Sequence, residues 1–474
     1  MDRLSALDTT FLHGEDADRG AHMHIGSVSI FEGPTPPQEQ IRNTILDRLH
    51  LVPKYRQRVQ SVPWHIGRPM WVDAADFDID YHLRRTAIAS PGDEPELRAL
   101  AGRLFSQRLD RTKPLWEVWV VEGLPRKRWA LISKVHHCLV DGVSGVELMS
   151  TLLDLTPITA TFERQQWEPH EVTETELSVA ALRSLAADSA DRVQQTVHAL
   201  TRPTEFWRDV RSKVSGARSI GKASALRRSA TLTGPIGTHR VLAWSAVPLA
   251  DIKAARSLAP GATINDVVLA AVANGFRELL VARGEPVDTS IRTLVPVSVR
   301  STNSEGAASG DGSFDNKVSA MFATLPIDIA DPIERLEHVR DELSSLKESN
   351  QATTAQALTE LSSDMPTALL ALGARVAARA SASANAPTPF ETVTTNIPGP
   401  QIPLYCAGRR MLRTYPFVPV AAPVRISVGI FSYDGEVTFT VIGDRDTAAD
   451  VEIIATGTTE AVAQFTELAE TLSN

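Results

Sequence analysis

Short apolar runs alternate with amphipathic stretches over the first third of the chain. His24–Phe31 and Arg128–His137 have the alternation and the β-branched content that predict strands. Between them, Pro37–Pro53 carries apolar side chains at helical spacing, and Val143–Leu155 after the second strand has the pattern of an amphipathic helix. The first third of the chain is therefore predicted to form a sheet with helices packed on it.

The same alternation returns after residue 234. A long apolar helix is expected to begin with Thr263 as its N-cap and to end at Gly284. Two strands, Ile291–Arg300 and Lys317–Asp328, are predicted to follow it. The segment between them, 301–315, is rich in Ser, Gly and Asn and predicts a loop.

The last part of the chain predicts a hairpin followed by a helix. Asp434 and Gly435 separate two β-like runs, and this dipeptide is a strong signal for a tight turn. Thr447–Leu472 then has helical periodicity up to the end of the chain.

These elements predict two β/α halves joined by a helical crossover, an organisation that suits a chain of 474 residues. We place the first subdomain at residues 1–175, the crossover at 176–233 and the second subdomain at 234–474. Within the crossover, residues 201–230 carry eight Lys or Arg against two acidic residues. This basic segment is either a solvated linker or surface helix, or a docking site for anionic lipid or CoA phosphates.

Composition narrows the class of protein. A net charge of −9 argues against general nucleic-acid binding. Two cysteines, Cys138 and Cys406, are too few for a disulfide framework and favour the cytoplasm. No signal peptide is apparent, and the most apolar stretch, Thr367–Ala384, is interrupted by Arg375 and Arg379. We therefore expect a cytoplasmic protein, with contact to a membrane surface left open.

The candidate chemistry lies where the second strand ends, at His136 and His137. Successive side chains of a strand point to opposite faces, so these rings are not expected to share one metal ion. Cys138 beside them lies in no nucleophile pattern. One neutral imidazole suits the role of a proton acceptor, with the other held in the fold. Asp141 would orient a histidine or pair with an arginine, and Gly142 suits a tight turn where a substrate approaches.

This spacing, HHxxxDG between a strand and a helix, resembles the active-site signature of the CoA-dependent acyltransferase superfamily. The wider sequence resembles the bacterial wax ester synthase/diacylglycerol acyltransferase family almost from end to end. The segments that carry this resemblance are Leu4–Glu15, Asp76–Arg85, Leu109–Leu124, His136–Gly142, Gly261–Val272, Val295–Arg300, Asp315–Asp328, Thr395–Pro400 and Ser427–Phe439. Two small departures are Ile397, where valine is more usual, and Gly429, where asparagine is common.

The resemblance implies an α/β (α+β) fold of two chloramphenicol-acetyltransferase-like subdomains, each a mixed sheet flanked by helices, with a substrate channel along their interface. It also implies transfer of a fatty acyl group from acyl-CoA to a hydroxyl without an acyl-enzyme. By the family pattern His137 is the general base and His136 is structural. Asp141 is expected to form a salt bridge to an arginine, with Arg56 and Arg58 as the candidates.

Asn265 and Asp266 match the family's ND motif. The resemblance implies that Asn265 binds the developing oxyanion or places the histidine, while Asp266 caps or anchors its helix. Both residues are equally compatible with simply starting that helix.

Two further motifs match the family and are expected near the substrate channel. They are Pro114-Leu115-Trp116 and Asn396-Ile397-Pro398-Gly399-Pro400. The first is expected to shape the wall of the acyl channel. The second predicts a rigid turn, with a structural role or a role beside the channel.

The implied reaction uses acyl-CoA as a co-substrate and needs no metal or other cofactor. Its acceptor is expected to be diacylglycerol or a long-chain alcohol, so the protein would meet the inner membrane or lipid inclusions peripherally, as a monomer or homodimer. The basic segment 201–230 and Thr367–Ala384 are candidate contacts. Two alternatives stay open: a non-catalytic lipid-binding relative, and an acyltransferase whose donor is bound to a carrier protein.

Overall fold

Two six-stranded sheets form the frame of the protein. They are seen in a computed structural model that describes residues 2–63, 67–139, 152–160, 162–183, 231–298, 318–348 and 388–473. Helices pack against both sheets, so the predicted α/β class is what the described residues adopt.

The first sheet has the strand order β11-β12-β1-β6-β5-β4. Its strands are β1 (His24–Phe31), β4 (Leu83–Ala87), β5 (Trp116–Leu124), β6 (Arg128–His136), β11 (Tyr405–Cys406) and β12 (Arg409–Phe417). All neighbouring strands are antiparallel except β4 and β5. A separate two-stranded ribbon pairs β2 (Gln57–Gln60) with β3 (Met70–Asp73).

The second sheet has the order β7-β14-β13-β10-β8-β9. Its strands are β7 (Arg240–Pro248), β8 (Ile291–Ser298), β9 (Val318–Leu325), β10 (Thr392–Pro398), β13 (Ile426–Tyr433) and β14 (Glu436–Asp444). Strand β10 runs parallel to both β13 and β8, and the other pairs are antiparallel, so this sheet is mixed as predicted.

The helices of the described residues flank these sheets. They are α1 (Ala6–Ala17), α2 (Gln38–Arg48), α3 (Ile79–His82), α4 (Glu94–Phe105), α5 (Leu249–Ala255), α6 (Ile264–Ala282), α7 (Pro332–Glu348) and α8 (Glu452–Ser473), and residues 174–183 are also helical. Helices α6 and α8 pack on each other beside the second sheet and bury most of its apolar core. In the part of the chain that the structure describes, no helix is both long and apolar enough to cross a membrane.

A shared apolar cluster joins the two halves. The rings of Phe105 on α4 and Phe417 on β12 stack at 3.7 Å, and those of Trp244 on β7 and Tyr415 on β12 stack at 4.6 Å. Because these side chains belong to one buried cluster, the halves are held together by burial of apolar surface as well as by strand pairing.

Strands β11 and β12 add a feature that the local pattern did not predict. They follow residue 404 in sequence but complete the first sheet, where β12 pairs with β1 from Gly26↔Phe417 onward. This pairing joins distant parts of the chain. Strand β1 pairs with β6 along one edge, and β12 supplies backbone hydrogen bonds to its other edge. The boundaries 1–175, 176–233 and 234–474 stay a prediction.

Most local predictions agree with the observed elements. Strand β1 has the predicted bounds, and Thr263 caps α6 through a reciprocal capping box with Asp266. The hairpin turn of β13 and β14 has positive φ at both Asp434 (44°) and Gly435 (85°), as its sequence predicts. The segments 143–151, 184–230, 301–315 and 367–384 lie outside the described residues, so the predictions made for them are untested.

Candidate functional site

Strand β6 ends at His136, one residue earlier than its sequence predicts. His136 is paired with His24, the first residue of β1, so the ladder has no partner strand beyond this point. The chain turns into a short 3-10 helix, His137–Leu139. The alternation of side chains between the two faces of a strand therefore applies to His136 but not to His137. The turn after the strand is what directs the two side chains apart.

His136 is fixed by the fold from several sides, and its side chain is 1% exposed. The backbone N–H of Cys138 donates to Nδ1 at 3.1 Å. Because Nδ1 accepts, the neutral ring carries its hydrogen on Nε2, which lies 3.4 Å from Oε1 of Glu15. The backbone N–H of His136 donates to the carbonyl oxygen of Leu115 at 3.0 Å. These contacts give His136 a structural role at the end of the strand.

His137 is held through its backbone and one face of its ring. Its N–H donates to the carbonyl oxygen of Met23 at 2.7 Å, and its ring lies 4.4 Å from that of Phe11. The residue is partly exposed, and its Nδ1 is buried without a hydrogen-bond partner in the described residues. Burial, with a smaller effect of His136, lowers the pKa of His137 to about 4. The ring is therefore neutral at pH 7 and able to accept a proton.

Glu15 on α1 lies directly behind the two histidines and is 2% exposed. The backbone N–H of Met23 donates to its Oε1 at 2.7 Å, and Arg111 donates to its Oε2 at 2.9 Å. Burial alone would raise the pKa of Glu15, but the nearby His136 ring and the guanidinium of Arg111 hold it well below its usual range. The carboxylate is therefore ionised at neutral pH.

His24 completes this buried group from the neighbouring strand. Its ring meets that of His136 edge-on at 5.9 Å, and its Nε2 lies 3.7 Å from Oε1 of Glu15. The backbone N–H of Leu109 donates to the same Nε2 at 3.4 Å. Burial and the nearby ammonium of Lys134 lower the pKa of His24 well below its usual value, so the ring is neutral.

The residues Phe11, Glu15, His24 and Arg111 were not among the predicted site residues. A signal for two of them was present, because Phe11 and Glu15 are four positions apart and share one face of α1. Both also lie in a segment that carries the family resemblance. Arg111 lies in another such segment, Leu109–Leu124, whereas the position of His24 follows only from the packing of distant parts of the chain.

Among the residues that the structure describes, neither a metal site nor a reactive thiol lies beside the histidines. Over the described ranges, no three His, Cys, Asp or Glu side chains are arranged to hold a metal ion. Cys138 is fully buried, and burial raises the pKa of its thiol well above the usual value. The thiol is therefore protonated at neutral pH and a poor nucleophile.

Two predicted site residues of the second half lie in direct contact. Nδ2 of Asn396 on β10 donates to Oδ1 of Asn265 in the first turn of α6 at 3.1 Å, and both residues are half-buried. Asp266 beside them is buried, and its Oδ2 accepts the backbone N–H of Thr263 at 2.7 Å. The structure thus gives Asp266 the capping role, whereas Asn265 is linked to a second candidate residue.

The motif Pro114-Leu115-Trp116 supports the end of β6. Besides its carbonyl contact with His136, Leu115 is fully buried. The ring of Trp116 stacks on that of His82 at 4.5 Å, and its Nε1 donates to the carbonyl oxygen of Tyr55 at 2.8 Å. The observed contacts of the motif are structural, and its expected part in the wall of an acyl channel stays a prediction.

The motif that begins at Asn396 is not a turn throughout, which corrects the sequence prediction. Its first three residues, up to Pro398, belong to β10, where they pair with β13. Only at Gly399 does the chain leave the strand. A Cβ on Gly399 would lie 2.3 Å from the carbonyl oxygen of Ser432 and 2.4 Å from the ring of Phe431, so this close approach requires glycine.

The departure at Gly429 has a packing explanation. A Cβ at this position of β13 would lie 2.7 Å from the side chain of Val418 and 3.2 Å from that of Pro416. A side chain here would displace part of the cluster that joins the two halves. Ile397, the other departure, is 46% exposed, and its extra methylene therefore meets little steric resistance.

The predicted salt bridge of Asp141 stays a prediction. Asp141 and Gly142 lie outside the described residues. Of the two candidate partners, Arg56 lies over the ring of Trp167 at 4.8 Å, and Arg58 donates to the side chain of Gln60 at 2.8 Å.

Comparison with known families supports the resemblance stated above. Residues 4–268 match the model of the wax ester synthase/diacylglycerol acyltransferase catalytic domain, and residues 314–466 match that of the WS/DGAT C-terminal domain. A probable diacylglycerol O-acyltransferase of Mycobacterium tuberculosis is 34% identical over 472 residues, which cover 99% of this chain and 97% of that protein.

Solved structures share the fold. The wax ester synthase/diacylglycerol acyltransferase of Marinobacter aquaeolei VT8 has a TM-score of 0.70 at 23% identity, with 99% of this chain and 100% of that one covered. The TRI3 trichothecene 15-O-acetyltransferase of Fusarium sporotrichioides has a TM-score of 0.59 at 14% identity, with 98% and 94% covered. These matches confirm the predicted fold class. With the full-length sequence similarity, they identify the chain as an acyltransferase of the wax ester synthase/diacylglycerol acyltransferase family.

Proposed function

We propose that the protein transfers a fatty acyl group from acyl-CoA to the hydroxyl of a lipid, with diacylglycerol favoured over a long-chain alcohol as the acceptor. Similarity over 99% of the chain to a relative named as a diacylglycerol O-acyltransferase is the observation that carries this proposal. The reaction needs no cofactor, since acyl-CoA supplies the activated acyl group.

His137 is the general base in this mechanism. Its Nδ1 is buried, which leaves Nε2 as the nitrogen assigned to proton transfer. Nε2 takes the proton of the acceptor hydroxyl while the hydroxyl oxygen attacks the thioester carbonyl carbon. The bond from that carbon to sulfur then breaks, and Nε2 returns the proton to the CoA sulfur. Ester and free CoA are the products, and no acyl-enzyme forms.

The unprotonated state of the His137 ring at neutral pH is compatible with this role. A base must be unprotonated when the hydroxyl arrives, and a pKa of about 4 keeps the ring neutral throughout the physiological range. The reaction also needs a group that hydrogen-bonds the developing oxyanion or places a reacting group. An amide held by the contact between Asn265 and Asn396 suits this need.

The acceptor determines where the protein works. Diacylglycerol and long-chain alcohols partition into lipid phases, so the protein is expected to bind peripherally to a membrane or to lipid inclusions. The two candidate contacts, 201–230 and Thr367–Ala384, lie outside the described residues. Whether the protein acts as a monomer or as a homodimer stays a prediction.

The test is an assay of purified protein with labelled palmitoyl-CoA and either diolein or hexadecanol, in which labelled ester and free CoA thiol are both measured. We expect equimolar ester and thiol, with diolein the better acceptor. The same assay with palmitoyl carrier protein as the donor is expected to give no ester.

Three outcomes would contradict the proposal. Ester formation only from the carrier-bound donor would assign the protein to a different donor class. Binding of diolein without ester formation would indicate a non-catalytic lipid-binding relative. Release of thiol without ester would indicate a thioesterase.

Replacing Asn265 or Asn396 with alanine is expected to lower kcat/KM for ester formation about fivefold, because one hydrogen bond contributes about 1 kcal/mol. The double variant should lose little more than either single variant, since both changes remove the same bond. Asn43→Ala, which removes an exposed hydrogen bond from Arg164 to the side chain of Asn43 on α2, should leave the rate unchanged. If the factors by which the two single variants lower kcat/KM multiply in the double variant, Asn265 and Asn396 do not act through their shared hydrogen bond.

A further inference from the structure

Among the described residues, Glu15 is a buried ionised group in direct contact with the first histidine of the pair, His136. Its carboxylate is 2% exposed, although an acidic side chain is rarely buried unless it is paired. Salt bridging to Arg111 does not account for its position, because Arg111 is 34% exposed and also donates to the exposed carboxylate of Asp16. Oε1 of Glu15 is turned instead toward the rings of His136 and His24.

Two short hydrogen bonds connect this oxygen to the backbone of the base. The N–H of Met23 donates to Oε1 of Glu15 at 2.7 Å, and the carbonyl oxygen of Met23 accepts the N–H of His137 at 2.7 Å. Met23 precedes β1, so its peptide groups are not held by the regular ladder on both sides. The position of the His137 backbone therefore depends on Met23, and that of Met23 depends on Glu15.

Oε1 of Glu15 also lies 3.4 Å from Nε2 of His136, which is the ring nitrogen that carries the hydrogen. One helical turn earlier on α1, Phe11 packs against the ring of His137 at 4.4 Å. Helix α1 thus contacts both histidines of the motif, with the ring of Phe11 against one and the carboxylate of Glu15 against the other.

We propose that Glu15 is a positioning residue, whose carboxylate holds Met23 and the ring of His136 and thereby sets the place from which His137 reaches the acceptor hydroxyl. The inference rests on the proposed function of His137 as the base. Positioning matters for the rate because a displacement of the reacting groups by about 1 Å can lower the rate about 100-fold.

The length of the side chain, and not its charge, is what this geometry requires. Glu15→Gln keeps an oxygen at the same reach for the N–H of Met23, and it leaves Arg111 paired with Asp16. Glu15→Asp keeps the charge but is shorter by one methylene, so its oxygen cannot reach the N–H of Met23 as Oε1 of Glu15 does. The two variants therefore separate position from charge.

The experiment measures kcat and KM for palmitoyl-CoA and diolein in both variants. We expect Glu15→Asp to lower kcat about 10–100-fold with each KM changed less than about threefold. Glu15→Gln is expected to keep kcat within about fivefold of the wild type, which is the rescue that a positioning role requires. Asp16→Asn is the matched control on the same helix, since Asp16 shares Arg111 but is exposed, and its kcat should be unchanged.

Thermal unfolding and circular dichroism of each variant show whether the fold is kept. Any other order of activities overturns the positioning role: full kcat in Glu15→Asp, a loss in Glu15→Gln as large as in Glu15→Asp, or a loss confined to KM. A Glu15→Asp protein that does not fold also overturns it, because Glu15 would then be required for the fold itself. Failure of the proposed function is distinguishable, because the wild type would then form no ester.

Discussion

Replacing His137 with alanine is expected to lower kcat for ester formation by about 10²–10⁴-fold while the protein stays folded. The range is the usual contribution of a positioned general base, and the His137 ring is neutral at pH 7. The fold should survive, since the substitution removes a ring contact with Phe11 but keeps the backbone hydrogen bond to Met23.

His136→Ala is the comparison that makes the result specific. The His136 ring is 1% exposed. Its removal takes away the acceptor of the Cys138 N–H and the ring nitrogen that faces the carboxylate of Glu15. An unpaired buried polar group costs about 1–3 kcal/mol, so the thermal midpoint of His136→Ala should fall clearly below that of the wild type. The midpoint of His137→Ala should change little.

The measurement is ester formation from palmitoyl-CoA and diolein, together with thermal unfolding of each variant. His239→Ala is the control for an exposed histidine and should match the wild type in both. Full activity of folded His137→Ala would exclude this residue as the base. If activity falls in proportion to the thermal midpoint in both His136→Ala and His137→Ala, both histidines have a structural role.

The sequence predicts the elements that depend on local patterns. The bounds of β1, the N-cap at Thr263 and the turn at Asp434 and Gly435 are all set by residues within a few positions of one another. The sequence also predicts that the side chains of His136 and His137 point apart, although the structural reason differs from the predicted strand alternation. His137 turns away because β6 ends where β1 begins.

The supporting contacts could not be predicted because they join distant parts of the chain. Glu15 meets His136 across 121 positions of sequence, and only the pairing of β1 with β6 and the packing of α1 on the turn bring them together. The pairing of β12 with β1 is another example, since nothing in either strand's own pattern specifies the other. The sequence therefore predicts which residue reacts, and the tertiary structure shows which side chains and backbone groups surround that residue.

Lowering the pH from 7 to 5 is expected to reduce the free energy of unfolding through the buried histidines, and His22 and His82 together contribute about 4 kcal/mol of this loss. Burial lowers the pKa of each ring from 6.5 to about 4. Below pH 6.5 the unfolded chain binds protons that the folded rings do not. The stabilisation is complete above pH 6.5 and is lost as the pH falls toward 4, with about 2 kcal/mol lost per histidine at pH 5.

His82 shows why the folded ring stays neutral. It is fully buried and lies between the rings of Trp116 at 4.5 Å and Phe77 at 5.3 Å. Its Nδ1 donates to the carbonyl oxygen of Trp116 at 2.8 Å, because a carbonyl can only accept. Nε2 is buried with no hydrogen-bond partner in the described part of the chain. Protonation would place a charge and a second N–H in this apolar site.

Urea unfolding at pH 7, 6 and 5 tests this expectation on the wild type, His82→Asn and His239→Asn. Asparagine at position 82 still offers an N–H to the Trp116 carbonyl but cannot take up a proton. His82→Asn should therefore start less stable at pH 7 and lose about 2 kcal/mol less than the wild type by pH 5. His239→Asn, at an exposed position, should lose as much as the wild type. Equal losses in His82→Asn and the wild type would mean that His82 takes up its proton in the fold as readily as in the unfolded chain, which its buried and unpartnered Nε2 argues against.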